Sequence, residues 1–315
     1  MNNDIEVQDG VVEGLKEKAE EGDPHAQFLL GALYLLGKGL VKSYEQAFNL
    51  FKKSADKGKF EEAQLFVALM YEYGVGTKYD LKMAIKYYSR AADNDQDVAQ
   101  MRLAYMYLYG IGVKKNIKIA LSWFEKAAMQ GNADAMYNLG SLYVNGLEVE
   151  KNYKLALEYF HDAGSYQQPQ ALLSLGCMYY NGHGVQRNYV QAKKFFKKAA
   201  DLGEYKGYTY LGHLFYYGTG TAADDKKALR YYLQAASKKE PQALFTLSNI
   251  YRDGEIVKKN MDLAKKYFNE AVENGLENDH SAHNIDVSNN KDLGEVFFSL
   301  VREVENAVVY SPNRR

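Results

Sequence analysis

The side chains of this chain that are best suited to catalysis or metal binding are six histidines and one cysteine. His280 and His283 stand three residues apart in a polar stretch, but a zinc site needs at least three protein ligands and no third ligand accompanies them. Cys177 and His213 lie 36 residues apart, and a thiol becomes a nucleophile only when its pKa is depressed. We therefore expect a surface histidine pair and an inert thiol.

The sequence contains no carboxylate pair with acid–base spacing, no Ser-His-Asp arrangement and no cofactor-binding fingerprint. GHG at 182–184 and GTG at 218–220 are similar to parts of a phosphate loop, which requires a preceding strand and a following helix N-terminus. Here each GxG follows a helical pattern, so its glycines are expected to form turns. The chain is predicted not to be an enzyme and to bind no cofactor and no metal.

Charge and composition argue against several classes of partner. The 39 Lys and Arg against 40 Asp and Glu leave a net charge of −1, whereas nucleic-acid and anionic-membrane binders need a basic surface. The lysine pairs at 114–115, 197–198 and 258–259 are expected on solvated surface.

The sequence also carries signals for localisation. The chain lacks a run of about eighteen apolar residues, begins with an acidic, polar stretch and has one cysteine. We expect a cytoplasmic protein, monomeric, with no nucleic-acid or membrane partner.

An internal repeat dominates the sequence. Similar segments recur at a spacing of 37 residues once and 36 residues five times, and a separate series of alanines follows the same period. A fixed period of this length is typical of stacked helical repeats. The seven segments are LGALYLLGKGL (30–40), VALMYEYGVGT (67–77), LAYMYLYGIGV (103–113), LGSLYVNGLEV (139–149), LGCMYYNGHGV (175–185), LGHLFYYGTGT (211–221) and LSNIYRDGEIV (247–257).

Each unit is predicted to contain two helices. The first should end at a glycine, which tolerates the left-handed conformation of a helix end. The second should begin at a residue whose side-chain oxygen accepts a free backbone N–H. The ending glycines are Gly37, Gly74, Gly110, Gly146, Gly182, Gly218 and Gly254. The starting residues are Ser43, Asp80, Asn116, Asn152, Asn188, Asp224 and Asn260. The predicted fold is all-α: a right-handed α/α solenoid of about seven 36-residue helix-turn-helix repeats with terminal capping helices.

Residues 99–131, AQMRLAYMYLYGIGVKKNIKIALSWFEKAAMQG, resemble the Sel-one-like repeat family, a relative of the tetratricopeptide repeats. The family pattern is roughly AxxxLGxxYxxGxGVxxDxxKAxxWxxKAAxxG, and the resemblance covers about 250 of the 315 residues. Ala68, Ala104 and Ser248 replace the glycine after the leucine, and repeat four has Leu147–Glu148 in place of the GxG. The cysteines that some secreted relatives carry in each repeat are absent. The resemblance implies adaptor and assembly roles.

The repeats define four segments of the chain. Residues 1–23 are predicted to form a tail and a capping helix, and residues 24–275 the seven repeats. Residues 276–291 are predicted to be a polar linker. Residues 292–315 are predicted to form a helix and a tail, because Val296, Leu300, Val304 and Val308 repeat with helical spacing. This last helix either caps the repeats or docks a partner.

By similarity to tetratricopeptide geometry, three positions of each first helix point into a concave groove. These positions vary from repeat to repeat while the packing positions do not, as expected of a binding face. We predict a non-catalytic scaffold or adaptor that binds a protein or peptide there; the alternative is a bacterial inhibitor or immunity-type protein that neutralises one toxin or enzyme. The predicted contact residues are Phe66, Tyr73, Arg102, Tyr105, Tyr109, Asn138, Asn145, Asn181, Tyr210, His213, Tyr217 and Asn249.

Overall fold

A computed structural model describes residues 9–57, 60–146 and 149–276. In these ranges the chain forms fifteen α-helices and no strand, which confirms the predicted all-α class. The helices are α1 (Asp9–Glu21), α2 (Pro24–Leu36), α3 (Tyr44–Asp56), α4 (Glu61–Tyr73), α5 (Leu81–Asp93), α6 (Asp97–Tyr109), α7 (Ile117–Met129), α8 (Ala133–Asn145), α9 (Tyr153–Ser165), α10 (Pro169–Asn181), α11 (Tyr189–Asp201), α12 (Lys206–Tyr216), α13 (Asp225–Ala236), α14 (Pro241–Asp253) and α15 (Met261–Glu273).

The described helices fall into two compact units. Unit 1 contains α1–α7, up to Gln130, and unit 2 contains α8–α15, from Gly131 onward. Within each unit, the first helix of a repeat packs against the second helix of that repeat, and the second helix packs against the next first helix. Each unit is therefore a stack of helix pairs. In unit 1, α1 precedes the first pair and packs on α2, where it buries Val12 and Ala19.

The predicted starts of all seven second helices are confirmed. The side-chain oxygen of each starting residue accepts the backbone N–H three residues later, at 3.0–3.3 Å. The backbone N–H of the same residue donates to a carbonyl of the preceding first helix, at 2.8–2.9 Å. In each repeat the same residue therefore caps the second helix with its side chain and, through its backbone N–H, anchors the turn to the first helix. The aromatic residues that supply these carbonyls are Tyr34, Tyr71, Tyr107, Tyr143, Tyr179, Phe215 and Tyr251.

Six of the seven predicted helix-ending glycines follow their helix directly with a positive φ. The exception is Gly218, because α12 ends at Tyr216 and Tyr217 is its C-cap. Gly218 still has a φ of 64°, and the glycines of GHG at 182–184 have φ of 77° and 71°. The GxG strings thus form the turns between helices, as predicted.

One aromatic ring of the second helix lies at the centre of the helix pair in six of the seven repeats. In six repeats this ring is 0–2% exposed. Gly176 lies against one of them: a Cβ atom added to this glycine would lie 2.4 Å from the ring of Phe196. Small residues of the first helix therefore set how closely the ring can approach. The six rings are those of Phe51, Tyr88, Phe124, Phe160, Phe196 and Tyr232.

The predictions for the carboxyl end fall largely outside the described residues. Of the predicted linker, 276–291, the structure describes Leu276 alone, and the predicted helix and tail at 292–315 are not described at all. Leu147 and Glu148, the departure from the repeat pattern in repeat four, also lie outside the described ranges.

Candidate interaction surface

The first helices of unit 1 expose two tyrosines in their last turn. Tyr73 on α4 is 45% exposed and Tyr109 on α6 is 37% exposed. One helical turn before Tyr109, Tyr105 is half-buried, and its ring lies nearly parallel to that of Tyr109 with the centroids 6.3 Å apart. Partial burial raises the pKa of Tyr109, so its hydroxyl stays protonated near neutral pH. These three side chains give unit 1 a neutral, aromatic surface with hydroxyl donors.

Two predicted contact residues of unit 1 belong to the core instead. Phe66 is 2% exposed, and its ring lies 5.0 Å from that of Phe51 and 5.6 Å from that of Phe28. Arg102 is also buried, with its guanidinium directed at a carboxylate within the unit. The prediction that these two side chains meet a partner is therefore corrected. Packing within unit 1 covers both side chains.

Arg102 forms a buried ion pair with Glu72. Its Nε donates to Glu72 Oε2 at 3.1 Å, its Nη2 donates to Oε1, and the Tyr88 hydroxyl donates to Oε2 at 2.6 Å. Burial opposes the guanidinium charge, but the hydrogen bond and charge of Glu72 raise the pKa of Arg102. Burial and the same carboxylate raise the pKa of Tyr88 well above its ordinary value. Among the described residues, Arg102 Nη1 is buried without a hydrogen-bond partner.

Glu72 was not among the residues predicted from the sequence to be functional. The signal was available, because Leu35 and Leu108 occupy the same position in the neighbouring repeats and a carboxylate there must be buried. Charged residues are rarely buried unless they are paired. A charged residue at a repeat position that holds leucine in both neighbouring repeats therefore predicts a partner in an adjacent helix.

In unit 2 the corresponding inner positions carry neutral side chains. Asn138 on α8 is buried, and its Nδ2 donates to the carbonyl of Asp134 at 2.7 Å, so it is partly used in holding its own helix. Tyr210 on α12 is half-buried and stacks on Phe196, with the ring centroids 4.6 Å apart and the planes 7° from parallel. Both residues are less available to a partner than their sequence positions predict.

His213 lies among three tyrosines. Its ring centroid is 5.5 Å from that of Tyr232, 6.2 Å from Tyr210 and 6.3 Å from Tyr217. Burial lowers the pKa of His213, because the charged imidazolium loses hydration there. The ring is therefore neutral at pH 7. With the three tyrosines it forms an uncharged aromatic cluster of residues from α12, its C-cap and α13.

Cys177 on α10 is a half-buried thiol. Burial raises its pKa to about 11, and Tyr210 is its hydrogen-bonding neighbour. A thiol in this state is protonated at neutral pH and is a poor nucleophile. The expectation of an unreactive cysteine agrees with this geometry.

The last turns of the first helices in unit 2 present polar and aromatic groups. Tyr217, directly after α12, is 69% exposed. Asn181, the last residue of α10, is exposed, and Asn145, the last residue of α8, is half-buried. Asn249 on α14 is half-buried as well. The most accessible predicted contact residues of unit 2 are therefore Tyr217 and Asn181.

In the described ranges, no cluster of three or more His, Cys, Asp or Glu side chains could hold a metal ion. His280 and His283 lie outside those ranges. None of the described helices is long and apolar enough to cross a bilayer.

Comparison with known proteins identifies the repeat. The model of the Sel1 repeat matches seven segments, 24–59, 61–96, 97–132, 133–164, 169–204, 206–239 and 241–276. The chain is 34% identical over 79 residues to protein sel-1 homolog 2 of Rattus norvegicus, which is 25% of this chain and 12% of that protein. It is 29% identical over 77 residues to the ERAD-associated E3 ubiquitin-protein ligase component HRD3B of Arabidopsis thaliana, 24% of this chain and 13% of that protein. The matches thus span about an eighth of these relatives.

Solved structures resemble the chain over a longer range. The protective antigen c5321 of uropathogenic Escherichia coli, described as displaying an SLR fold, has a TM-score of 0.71 and 27% identity, covering 95% of this chain and 71% of that chain. A Sel1 repeat protein from Oxalobacter formigenes has a TM-score of 0.67 and 28% identity, covering 78% of this chain and 96% of that chain. The helix pairs, their caps and these matches agree on an all-α solenoid, and the chain belongs to the Sel1 repeat family.

Proposed function

We propose that this protein is a non-catalytic scaffold that binds a protein or peptide in the concave groove that the first helices form in each unit. The observation that carries the proposal is the exposure of Tyr73, Tyr109 and Tyr217 at equivalent repeat positions, at the carboxyl ends of three first helices. A tyrosine covered by a partner contributes apolar contact area and a hydrogen bond together, which is why tyrosines are frequent among the dominant residues of interfaces.

The contact surface that we propose is narrower than the one predicted from sequence. It retains the residues that are exposed or half-buried in the first helices, whereas Phe66, Arg102 and Asn138 support that surface from below. The proposed contact residues are Tyr73, Tyr105, Tyr109, Asn145, Asn181, Tyr210, His213, Tyr217 and Asn249.

The chemistry of this surface favours a neutral segment of polypeptide. Tyrosine hydroxyls and asparagine amides both donate and accept hydrogen bonds, so they match the carbonyl and N–H groups of a peptide backbone. The net charge of −1 and the neutral imidazole of His213 offer no electrostatic attraction to a nucleic acid. The protonated thiol of Cys177 supplies no nucleophile for covalent catalysis at this surface. A monomer in the cytoplasm, without cofactor, remains part of the proposal.

The experiment compares two triple variants of the full chain. Tyr73→Ser/Tyr109→Ser/Tyr217→Ser removes the first-helix tyrosines. Tyr44→Ser/Tyr79→Ser/Tyr166→Ser removes three exposed tyrosines elsewhere and is the matched control. Partners captured from a lysate of the source cells are identified by mass spectrometry, purified and titrated against wild type and both variants. Each variant should retain the helical circular-dichroism spectrum of wild type.

We expect the first-helix variant to weaken binding at least tenfold, or by about 1.4 kcal/mol, and the control to bind as wild type does. Equal loss in both variants, or loss in the control alone, would contradict the groove proposal. A single tight partner that is a toxin or an enzyme, and that this chain inhibits, would favour the inhibitor or immunity-type alternative.

A further inference from the structure

Two neighbouring second helices of unit 2, α11 and α13, concentrate positive charge. α11 carries four lysines against one aspartate, and α13 carries two lysines and one arginine against one aspartate. The second helices on either side are different: α9 has one lysine against two acidic residues, and α15 has two lysines against three. Among the second helices of unit 2, the excess of basic residues is therefore confined to these two.

Lysines of both helices meet over one aromatic ring. The Nζ atoms of Lys193 on α11 and Lys227 on α13 lie 5.7 Å and 5.4 Å from the centre of the Phe215 ring on α12. The rings of Tyr208 and Phe215 both stack on that of Tyr231, with centres 6.1 Å and 5.6 Å apart. The side chains of α11 and α13 thus border one basic seam, and stacked rings form its floor.

The positive charge along the basic seam is only partly neutralised. Lys227 pairs with Asp224 at 2.9 Å, and Lys197 pairs with Asp201. Like charges gathered on one surface repel each other, and an anionic partner removes that repulsion. The cations of α11 and α13 that form no ion pair within the described residues are Lys193, Lys194, Lys198, Lys226 and Arg230.

An exposed leucine lies among these charges. Leu233 on α13 is 38% exposed, and it lies one helical turn from Arg230 and from half-buried Leu229. The other six second helices hold a polar or charged residue at this repeat position, so the leucine is peculiar to α13. Those six residues are Lys52, Ser89, Glu125, His161, Lys197 and Asn269.

Charge and apolar surface together favour a protein partner over a nucleic acid. Affinity for a nucleic acid grows with the number of phosphates that are neutralised, and the acidic excess on α9 and α15 bounds the basic surface on both sides. Phosphates make no use of an exposed leucine. A segment with acidic and apolar residues at helical spacing matches the row that Lys226, Leu229, Arg230 and Leu233 form along α13.

We propose that the basic seam between α11 and α13 binds an acidic, amphipathic segment of a partner protein. Carboxylates of that segment pair with Lys193, Lys226 and Arg230, and its apolar residues cover Leu229 and Leu233. The basic seam contains none of the proposed contact residues of the groove. It is therefore a second binding site of the scaffold, and it is independent of the first.

The test is a titration of the full chain with a labelled peptide in which Glu and Leu follow helical spacing, measured by fluorescence anisotropy. Lys226→Glu/Arg230→Glu reverses two charges at the basic seam. Lys82→Glu/Lys86→Glu reverses the charges at the same two repeat positions of α5 and is the matched control. All four residues are exposed, so both variants should keep the helical circular-dichroism spectrum of wild type. We expect the seam variant to bind the peptide at least tenfold more weakly, or by about 1.4 kcal/mol, and the control to bind as wild type does.

A second pair of variants separates an amphipathic segment from a simple polyanion. Leu233→Ser removes the exposed leucine, and Ile119→Ser on α7, where Ile119 is 36% exposed, is its control. We expect Leu233→Ser alone to weaken binding of the peptide at least threefold. In wild type, the peptide should slow hydrogen–deuterium exchange in the segments 189–201 and 225–236.

Several outcomes would overturn the proposal. They are failure of the peptide to bind wild type, equal loss in the seam variant and its control, and unchanged affinity in Leu233→Ser. Tighter binding of duplex DNA, or of vesicles of phosphatidylserine and phosphatidylcholine, at the same ionic strength would assign the basic seam to a nucleic acid or a membrane instead. The triple variant of the first-helix tyrosines should bind the peptide as wild type does, so failure of the groove proposal is distinguished from failure of this one.

Discussion

Units 1 and 2 use the same repeat and fill its inner positions by different means. Unit 1 buries a charged pair, Arg102 and Glu72, whose carboxylate also accepts the hydroxyl of Tyr88. Unit 2 places the neutral ring of Tyr210, stacked on Phe196, at the repeat position of Arg102, and it surrounds His213, at the repeat position of Tyr105, with tyrosines. The side-chain caps at the starts of the second helices are the same in both units. The repeat therefore fixes the backbone and leaves the inner positions free to vary.

The difference has an energetic meaning. A buried ion pair stabilises a fold only when its hydrogen bonds offset the loss of hydration, and Arg102 Nη1 is left without a partner in the described part of the chain. Stacked rings bear no such penalty. We infer that unit 1 depends on each member of its charged cluster, whereas unit 2 depends on the fit of its rings.

The largest effect is expected from Glu72→Leu. It leaves the Arg102 charge buried without a counterion and should destabilise the protein by about 3–5 kcal/mol in chemical denaturation. The matched control is Glu72→Leu/Arg102→Leu/Tyr88→Phe, which installs the residue types found at the same positions in other repeats, Leu35, Leu29 and Phe51. This triple variant should recover most of the lost stability. If the single variant is as stable as wild type, the buried pair is not important to unit 1.

Gly176→Ala tests the fit of the rings in unit 2. The added Cβ would lie 2.4 Å from a ring carbon of buried Phe196, so we expect destabilisation of about 1–3 kcal/mol. Unit 1 has Ala104 at this position, and Ala104→Gly there should cost about 0.5–1 kcal/mol through backbone entropy. Adding a methyl group in unit 2 and removing one in unit 1 should thus both destabilise the protein. The measurement is the thermal or denaturant midpoint of each variant, which should fall below that of wild type. A neutral Gly176→Ala would mean that the Phe196 ring moves freely.

The helix caps should behave alike in the two units. Asp80→Ala in unit 1 and Asn152→Ala in unit 2 each remove a side-chain acceptor from a helix start. Each should lower the free energy of unfolding by about 1 kcal/mol and leave partner binding unchanged. Costs that differ by more than a factor of about two would contradict the conclusion that the caps are equivalent.

The smallest effect concerns pH and is confined to unit 2. Burial lowers the pKa of His213 in the folded protein, whereas the unfolded chain keeps the ordinary value near 6.5. The unfolded state then binds the proton more readily. The contribution of neutral His213 to the free energy of unfolding is therefore complete above about pH 6.5, and it declines as pH falls through the folded pKa. His213→Tyr, which installs the unit 1 residue type, should flatten the decline.

A matched measurement separates His213 from the other shifted histidine. Burial also lowers the pKa of His161, so wild type, His213→Tyr and His161→Gln are compared in denaturation experiments between pH 7 and pH 5. We expect each variant to remove part of the slope. An unchanged slope in His213→Tyr would mean that the imidazole is as well hydrated in the folded protein as in the unfolded chain.

Sequence reasoning was most successful where a property is local. Asn116 begins α7 because its own side chain accepts a hydrogen bond from Ile119, three residues away. The same rule predicted the starts of all seven second helices. The end of α12 was predicted less well: the helix stops at Tyr216, before Gly218, because glycine permits a helix end without dictating its position.

The candidate surface was predicted less completely, because exposure depends on neighbours that are distant in sequence. Phe66 and Tyr73 belong to one helix and both follow the inward pattern, yet Phe51 and Phe28 cover the first while the second stays exposed. Asn138 and Asn145 have the same chemistry on α8, but the former is buried and the latter is half-buried. Position in the repeat therefore did not specify accessibility.

The amino-acid sequence by itself determined the repeat, its helix pairs, their caps and the Sel1 family, because these features depend on interactions within a few residues and recur seven times. The tertiary structure alone decided which inward residues are core and which are surface. It paired Arg102 with Glu72, surrounded His213 with tyrosines and left Phe268 exposed at the last repeat. Each of these outcomes depends on side chains that meet only after the helices stack.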